Sequence, residues 1–409
     1  MATEPKTERY DVGGVLLERP FKVRRLGHFG LDVEHMDECL RFYHDLLGFR
    51  LSDVLDFGKN PRLADALKGV SQTKGYFTHY GGDHHAFVLF PRRMRKAMAD
   101  SRGHGYGPNI NQLTWQVGSL REVVEAVGYF DRHHVVIERS GRDMPGSNWH
   151  TYIQDPDRHT NELYYGIEQI GWQGVSKPAP FYAGRASEPP TLPVAGEEAE
   201  VDGALAEGVD LRCGYRDEAR LPAVHDVEGV LLERPFKITR IGPVHLFVAD
   251  VAASAHFYTE RMGFAVTATT MVEGERCVFL RAGAEHHSLG LLPLGLRKRL
   301  GVPTATTLAA FGVSVGSYRQ LREAVAFLRE QGVTVTDVPE GLHPGMDHAA
   351  YAVDPEGHRV LLHTYLEQVG WAGEPRAEGH RHVPIAQWPE AIEPLSDVYA
   401  DQTFAGPLG

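Results

Sequence analysis

Residues 11–22 read DVGGVLLERPFK and residues 226–237 read DVEGVLLERPFK, differing only where Gly13 meets Glu228. An internal duplication constrains a fold more tightly than any local propensity, because it sets the unit that must fold. Each copy runs into a second shared pattern, RRLGHFGLDV…RFYHDLLGF at 24–49 and TRIGPVHLFV…HFYTERMGF at 239–264. The halves also close alike, with DPDRHTNELYYGIEQIGW at 155–172 and DPEGHRVLLHTYLEQVGW at 354–371. The informative positions are those where the copies differ in chemistry. His28 corresponds to Pro243, and Glu162 corresponds to Leu361.

A finer repeat lies inside each half. LGHFGLDV alternates like a strand, EHMD turns, and Cys39, Leu40, Phe42, Tyr43, Leu46 and Leu47 then recur at helical spacing. Strand-like runs follow as far as HHAFVLF at 84–90. The second quarter repeats the order, with NQLTWQV (111–117), a helix through LREVVEAVGYF, and strands at HHVVIER, NWHTYIQD and NELYYG. Each quarter therefore reads β-α-β-β-β, and the second half repeats the pair at 241–293 and 307–366. The expected fold is α+β, four βαβββ modules paired into two domains.

Between the halves the composition shifts. Pro178, Pro180, Pro189, Pro190 and Pro193 precede the acidic, small-residue run GEEAEVDGALAEGVD, which reads as a linker or surface excursion. The division expected is an N-terminal arm at 1–23, a first domain at 24–173, a linker at 174–225, a second domain at 226–373 and a surface tail at 374–409.

A formal net charge of −12 disfavours nonspecific binding to nucleic acid or to anionic membrane. The short basic run RRMRK at 92–96 reads as a solvated loop or helix end. Three scattered cysteines make no disulfide framework, and the polar start MATEPKTERYD has no apolar leader, so a reducing cytoplasm is expected. No run of about 18 apolar residues is present to span a membrane.

Two residues carry chemical weight on their own. His28 lies in a strand whose inward positions must be apolar or functional; a lone strand histidine is more often a satisfied core residue. Glu162 lies in NELYY beside Leu163 and aromatics, and a buried carboxylate needs a partner or a metal. Its counterpart Leu361 is an expected core residue, which points Glu162 inward as well.

Four such modules in this order resemble the vicinal oxygen chelate superfamily, and most closely its two-domain type I extradiol ring-cleaving dioxygenases. The resemblance rests on LGHFGLDV, FYHDLLGF, GGDHHAFVLF and above all DPDRHTNELYY, and covers most of the chain outside the linker and tails. It implies a cup of strands in each domain, one cup holding a divalent metal, typically Fe(II), on two histidines and a glutamate. The ligand positions fall on His28, Gln112 and Glu162. Gln112 departs from the histidine of that pattern, and the glyoxalase branch of the superfamily uses a glutamine in its metal set. Mn, Ni or Zn are therefore alternatives to Fe(II).

The same resemblance implies that Tyr152 contacts substrate, that His150 lies beside it on the same strand face, and that an acid-base histidine sits near the strand end. His84 is the choice there, with His85 close behind. Recurrence of the pair at His286 and His287 leaves a purely structural role open. Asp143 stands where the family often has a histidine.

In the second half, Pro243, Leu308 and Leu361 at the ligand positions indicate a degenerate, structural domain. His245 and His363, with His287 or His343, form an alternative displaced site. The expected function is an Fe(II)-dependent oxygenase acting on a small phenolic or catecholic substrate with O2, in a homo-oligomer. A glyoxalase- or epimerase-like metal enzyme and a non-catalytic aromatic-binding protein are the alternatives.

Overall fold

Alternation along one strand shows how the molecule is layered. In Arg25–Val33 the side chains of Phe29, Leu31 and Val33 join one hydrophobic core while His28 points to the opposite face. The computed structural model describes residues 8–101, 103, 106–170, 174–369, 373–375 and 382–392.

A hairpin β1 (Tyr10–Val12) and β2 (Val15–Leu17) precedes β3 (Arg25–Val33), β4 (Arg50–Asp56), β5 (Lys74–His79), β6 (Phe87–Pro91) and β7 (Ile110–Gln116). Strands β8 (Ile137–Arg142), β9 (Trp149–Gln154) and β10 (Thr160–Tyr165) complete the first half. The second half repeats this with hairpin β11 (His225–Val227) and β12 (Val230–Leu232), then β13 (Ile238–Val248), β14 (Ala265–Val272), β15 (Glu275–Arg281) and β16 (Leu289–Pro293). It ends with β17 (Leu308–Val315), β18 (Val335–Asp337), β19 (Ala349–Val353) and β20 (Arg359–His363).

The two eight-stranded sheets have the same order, β4-β5-β6-β3-β7-β10-β9-β8 and β14-β15-β16-β13-β17-β20-β19-β18. The four βαβββ modules expected from the sequence are present, two per sheet. In each sheet the two modules meet at an antiparallel central pair, β3 with β7 and β13 with β17. Helices fill the crossovers: Met36–Leu40 widening into π-type turns over Arg41–Leu47, and Leu120–Arg132 capped by Ser119. The run HHVVIER starts its strand only at Ile137, because His134, at φ 56°, lies in the turn that ends the preceding helix. The basic run belongs to a helix, Arg92–Ser101, that buries Met94 and Met98; Arg93 and Lys96 face outward, while Arg95 turns in to the buried Asp32.

The faces away from the two cups share a single core. Phe29 stacks on Phe311 at 4.8 Å, and Trp115 meets Phe264 edge-on at 4.9 Å. Polar contacts across this junction come in matched pairs. Tyr43 donates to Asp354, and its counterpart Tyr258 donates to Asp155. Asn109 reaches His358, and Thr307 reaches His159.

The duplicated ERPF segments have the same mutual logic. Arg234 packs over Gly48 in the first half, and Arg19 packs over Gly263 in the second. Both glycines have positive φ, 93° and 80°, and a Cβ at either would strike the guanidinium. Each repeat thus clasps the other half, which accounts for the most closely matched stretch of sequence.

The linker is more ordered than its composition suggests. It contains the helix Glu197–Ala206, buries Ser176 and Phe181, and is tied down by two bonds between Arg142 and Glu200. Of the tail, residues 374, 375 and 382–392 are described; Pro389 accepts from Tyr318 and Ile385 donates to Asp337. The remainder of the tail, and residues 1–7 of the N-terminal arm, lie outside the described residues.

Candidate metal centre

The register of four adjacent strands assembles the site. His28 on β3 stands opposite Thr114 on β7, Thr114 opposite Glu162 on β10, and Glu162 opposite Tyr152 on β9. Residues directly opposite share a sheet face. One row of side chains therefore crosses the floor of the first cup. Gln112, two residues from Thr114, lies on the same face opposite Gly30.

Glu162 is fully buried and is the hub. Its Oε2 accepts from Gln112 Nε2 at 3.0 Å and from Thr114 Oγ1 at 2.8 Å, and lies 3.0 Å from His28 Nε2. Its Oε1 accepts from Asn148 Nδ2 at 2.8 Å. The Tyr152 hydroxyl is 3.4 Å from Gln112 Oε1. Burial alone would raise the Glu162 carboxyl, but the charge and hydrogen bond of His28, with help from His150 and Thr114, outweigh it and hold the group below its ordinary value. Tyr152 is pushed up by burial and then by Glu162, so it stays protonated.

These groups fit a divalent metal. Two ligands at right angles, each about 2.1 Å from an ion, stand about 3.0 Å apart, which is the separation of His28 Nε2 and Glu162 Oε2. Turning the Gln112 amide by half a turn would replace its nitrogen at this point with its oxygen. An imidazole, a carboxylate and an amide oxygen on three neighbouring strands would supply three ligands to such an ion, fewer than the full set it takes.

The histidine pair resolves differently from expectation. His85, not His84, turns to the site, with its ring centroid 4.2 Å from that of His28. His84 Nε2 points to Asp53 at 3.5 Å, where Ser176 and Tyr182 of the linker also converge. The preference for His84 fails because Asp83 is bridged to Gln169, so the chain enters β6 from a bend where strand parity does not carry back. Burial, and then His28 and His84, push His85 well down, leaving it a neutral imidazole. His150 is buried beside Tyr152 at a centroid distance of 4.6 Å, with Asp143 3.7 Å away. Asp143 is itself clamped by two bonds from Arg139.

Thr114 and Asn148 are site residues that sequence reasoning missed. Thr114 had a signal, since it shares the face of Gln112 by period two. Asn148, before the start of β9, had none.

The second cup is closed by an apolar cluster that includes Phe247, Phe279, Tyr351 and Leu361. Pro243 and Leu361 stand where His28 and Glu162 would be, but the third position needs correcting. His245 pairs with Ala310 as Gly30 pairs with Gln112, so Ala310 rather than Leu308 replaces Gln112. Within this cup His245, His287 and His343 come together, one ring nitrogen of each lying within 4.8 Å of the others. The group does not include His363, whose Nε2 is bonded to the Gly242 carbonyl. Burial pushes His245 down to about 3, with a smaller contribution from His363.

A duplicated pair of eight-stranded mixed sheets, one floored by imidazole, amide and carboxylate, defines a two-domain class of protein built from four βαβββ modules. The chain belongs to the Glyoxalase/Bleomycin resistance protein/Dioxygenase superfamily, whose family model matches residues 25–163 and 240–362. It is 26% identical over 176 residues to the 3-methylcatechol 2,3-dioxygenase of Pseudomonas putida, covering 40% of this chain and 54% of that one. It is 34% identical over 150 residues to the biphenyl-2,3-diol 1,2-dioxygenase of Paraburkholderia xenovorans, covering 36% of this chain and 40% of that relative. The chain thus spans about half the length of these curated relatives or less. Among solved structures, homoprotocatechuate 2,3-dioxygenase from Brevibacterium fuscum superposes with a TM-score of 0.54 at 14% identity, over 91% of each chain. The Mn(II)-bound glyoxalase from Novosphingobium aromaticivorans gives 0.52 at 16%, over 89% of this chain and 88% of that one. These last two likenesses are of fold. Among the described residues no helix is long and apolar enough to cross a membrane.

Proposed function

We propose that the first half is a metal-dependent dioxygenase centre of the extradiol type, acting with O2 on a small aromatic diol and holding Fe(II) on His28, Gln112 and Glu162. The observation that carries this is the convergence of His28 and Gln112 on one oxygen of the buried Glu162 carboxylate. The names of the relatives, dioxygenases of 3-methylcatechol and of biphenyl-2,3-diol, support the substrate class.

The chemistry a bound Fe(II) supplies is Lewis acidity toward two vicinal oxygens and a redox path between an electron-rich ring and O2. The protein supplies the rest. Thr114 and Asn148 fix both oxygens of Glu162, so that one face of the carboxylate is presented to the cup. His85, neutral and buried, accepts a proton from a ring hydroxyl and returns it later. Tyr152 keeps its proton and donates a hydrogen bond to substrate oxygen. The phenyl ring of Phe77, 5.3 Å from His85, helps exclude water. One diol and one O2 give a single ring-opened product retaining both oxygen atoms.

Gln112 favours a second reading, in which a redox-inert divalent ion stabilises an enediolate in a glyoxalase-like isomerisation. Oxygen-electrode assays of iron-reconstituted protein with a panel of catechols separate the two. Substrate-dependent uptake of one O2 per diol is expected. Absence of uptake, with turnover of an α-hydroxy carbonyl adduct instead, would replace the first reading with the second.

A further inference from the structure

The apolar second cup contains three histidines that its degenerate character does not explain. His245, His287 and His343 are each nine-tenths or more buried, and one ring nitrogen of each lies within 4.8 Å of the others. His245 Nε2 is 2.8 Å from His287 Nε2. Two neutral imidazoles share one proton in such a contact, so one nitrogen brings an unshared pair toward the other side chain.

Orientation is set from behind. His287 Nδ1 is held by His286 Nδ1 at 3.0 Å, which leaves its Nε2 facing the cluster. His343 Nε2 is bonded to the Tyr351 hydroxyl, while its Nδ1 is buried and has no hydrogen-bond partner among the described residues. Outer hydrogen bonds that fix ring orientation are what metal-ligating imidazoles require.

Space for the cluster is made by a reciprocal exchange of bulk between the halves. On the first floor Gly30 lies between Val88 and Gln112; on the second His245 lies between Gly290 and Ala310. A Cβ added at Gly290 would sit 2.5 Å from His245 Cδ2. The large residue has moved to the central strand, and both neighbours have shrunk around it. A cavity of about 20 Å³ lies on the far side of His287, lined also by Gly242, Pro243 and His363; it has room for one solvent molecule, and His245 and His343 do not line it.

We infer that the second half holds its own divalent metal site, formed by His245, His287 and His343 with an open fourth position. All-imidazole donors suit Zn²⁺ or another late first-row ion, and three protein ligands leave a place for water or a small anion. This site is displaced from the one that Pro243, Ala310 and Leu361 have erased. It does not depend on the reading of the first cup.

Cobalt titration of the metal-stripped full chain tests it. The wild type should take up one equivalent with the intense visible absorption of four-coordinate Co²⁺, displaced by Zn²⁺. Glu162→Gln should keep that band and His287→Gln should lose it. A band lost in Glu162→Gln, kept in His287→Gln, or absent from the wild type would overturn the site. Because His287→Gln risks misfolding, X-ray absorption on Zn²⁺-loaded Glu162→Gln supplies an independent readout. Three imidazoles at the zinc are expected, and any other ligand set would overturn the assignment. A Glu162→Gln protein that binds as much total metal as the wild type would instead sink the first-cup centre and leave this one standing.

Discussion

His28 Nε2 lies 3.0 Å from Glu162 Oε2 although 134 residues separate them in sequence. Strand register alone brings them together, because the module junction β3-β7 and the parallel pair β7-β10 place both residues opposite Thr114. The four expectations below follow from that row, from its counterpart in the second half, and from the junction between the halves.

His85→Gln should lower turnover by roughly 10²–10⁴-fold if the neutral imidazole passes protons, and should flatten the pH profile of kcat. His84→Gln should change kcat far less, since His84 turns to Asp53 and the linker. Steady-state kinetics over a pH range decides between the two neighbours.

Leu361→Ala should cost about 2–5 kcal/mol of stability, because Leu361 is fully buried in the second cup. Metal content of the first cup should not change. Denaturant melts read beside metal analysis check both halves of the statement.

Gly48→Ala should destabilise by more than Gly69→Ala. Each glycine has positive φ, so each substitution meets a left-handed backbone cost of about 1–2 kcal/mol. Only at Gly48 would the new methyl also strike Arg234, and around Gly69 the space is open. The difference between the two melting shifts measures the clasp between halves.

His159, buried at the junction, should make stability fall as pH rises. Burial lowers its affinity for a proton, but the Asp155 carboxylate beside it outweighs this, and the net shift is upward from 6.5. A raised folded value means the contribution is complete below about 6.5 and is lost as pH climbs through the folded value. His159→Gln should remove that slope in urea melts at pH 6 and pH 8 while leaving other transitions in place.

Much of the fold and the first cup could be read from the chain, for physical reasons that also mark where reading stopped. Period-two alternation carries His28, Gln112 and Glu162 to one face, and duplication exposes the positions where the second half departs. Parity was lost at bends: the turn before β6 reversed the roles of His84 and His85. The counterpart of Gln112 is Ala310 and that of Ile110 is Leu308, since β3-β7 and β13-β17 carry the same slip in register; aligning the halves by sequence alone misplaces it by two residues. Asn148 and the linker contacts of Asp53 come from loops, whose paths composition does not specify. The three-histidine cluster draws on β13, the turn before β16 and the loop before β19; the sequence offers His245 and His363 with His287 or His343, and the fold gathers His245 with both of the latter and without His363.

The most direct test of the central claim is iron analysis of anaerobically reconstituted protein, wild type beside Glu162→Gln. The variant should bind one equivalent of iron per chain less than the wild type, with an unchanged circular dichroism spectrum. Equal iron in the two folded proteins would contradict a metal centre on His28, Gln112 and Glu162.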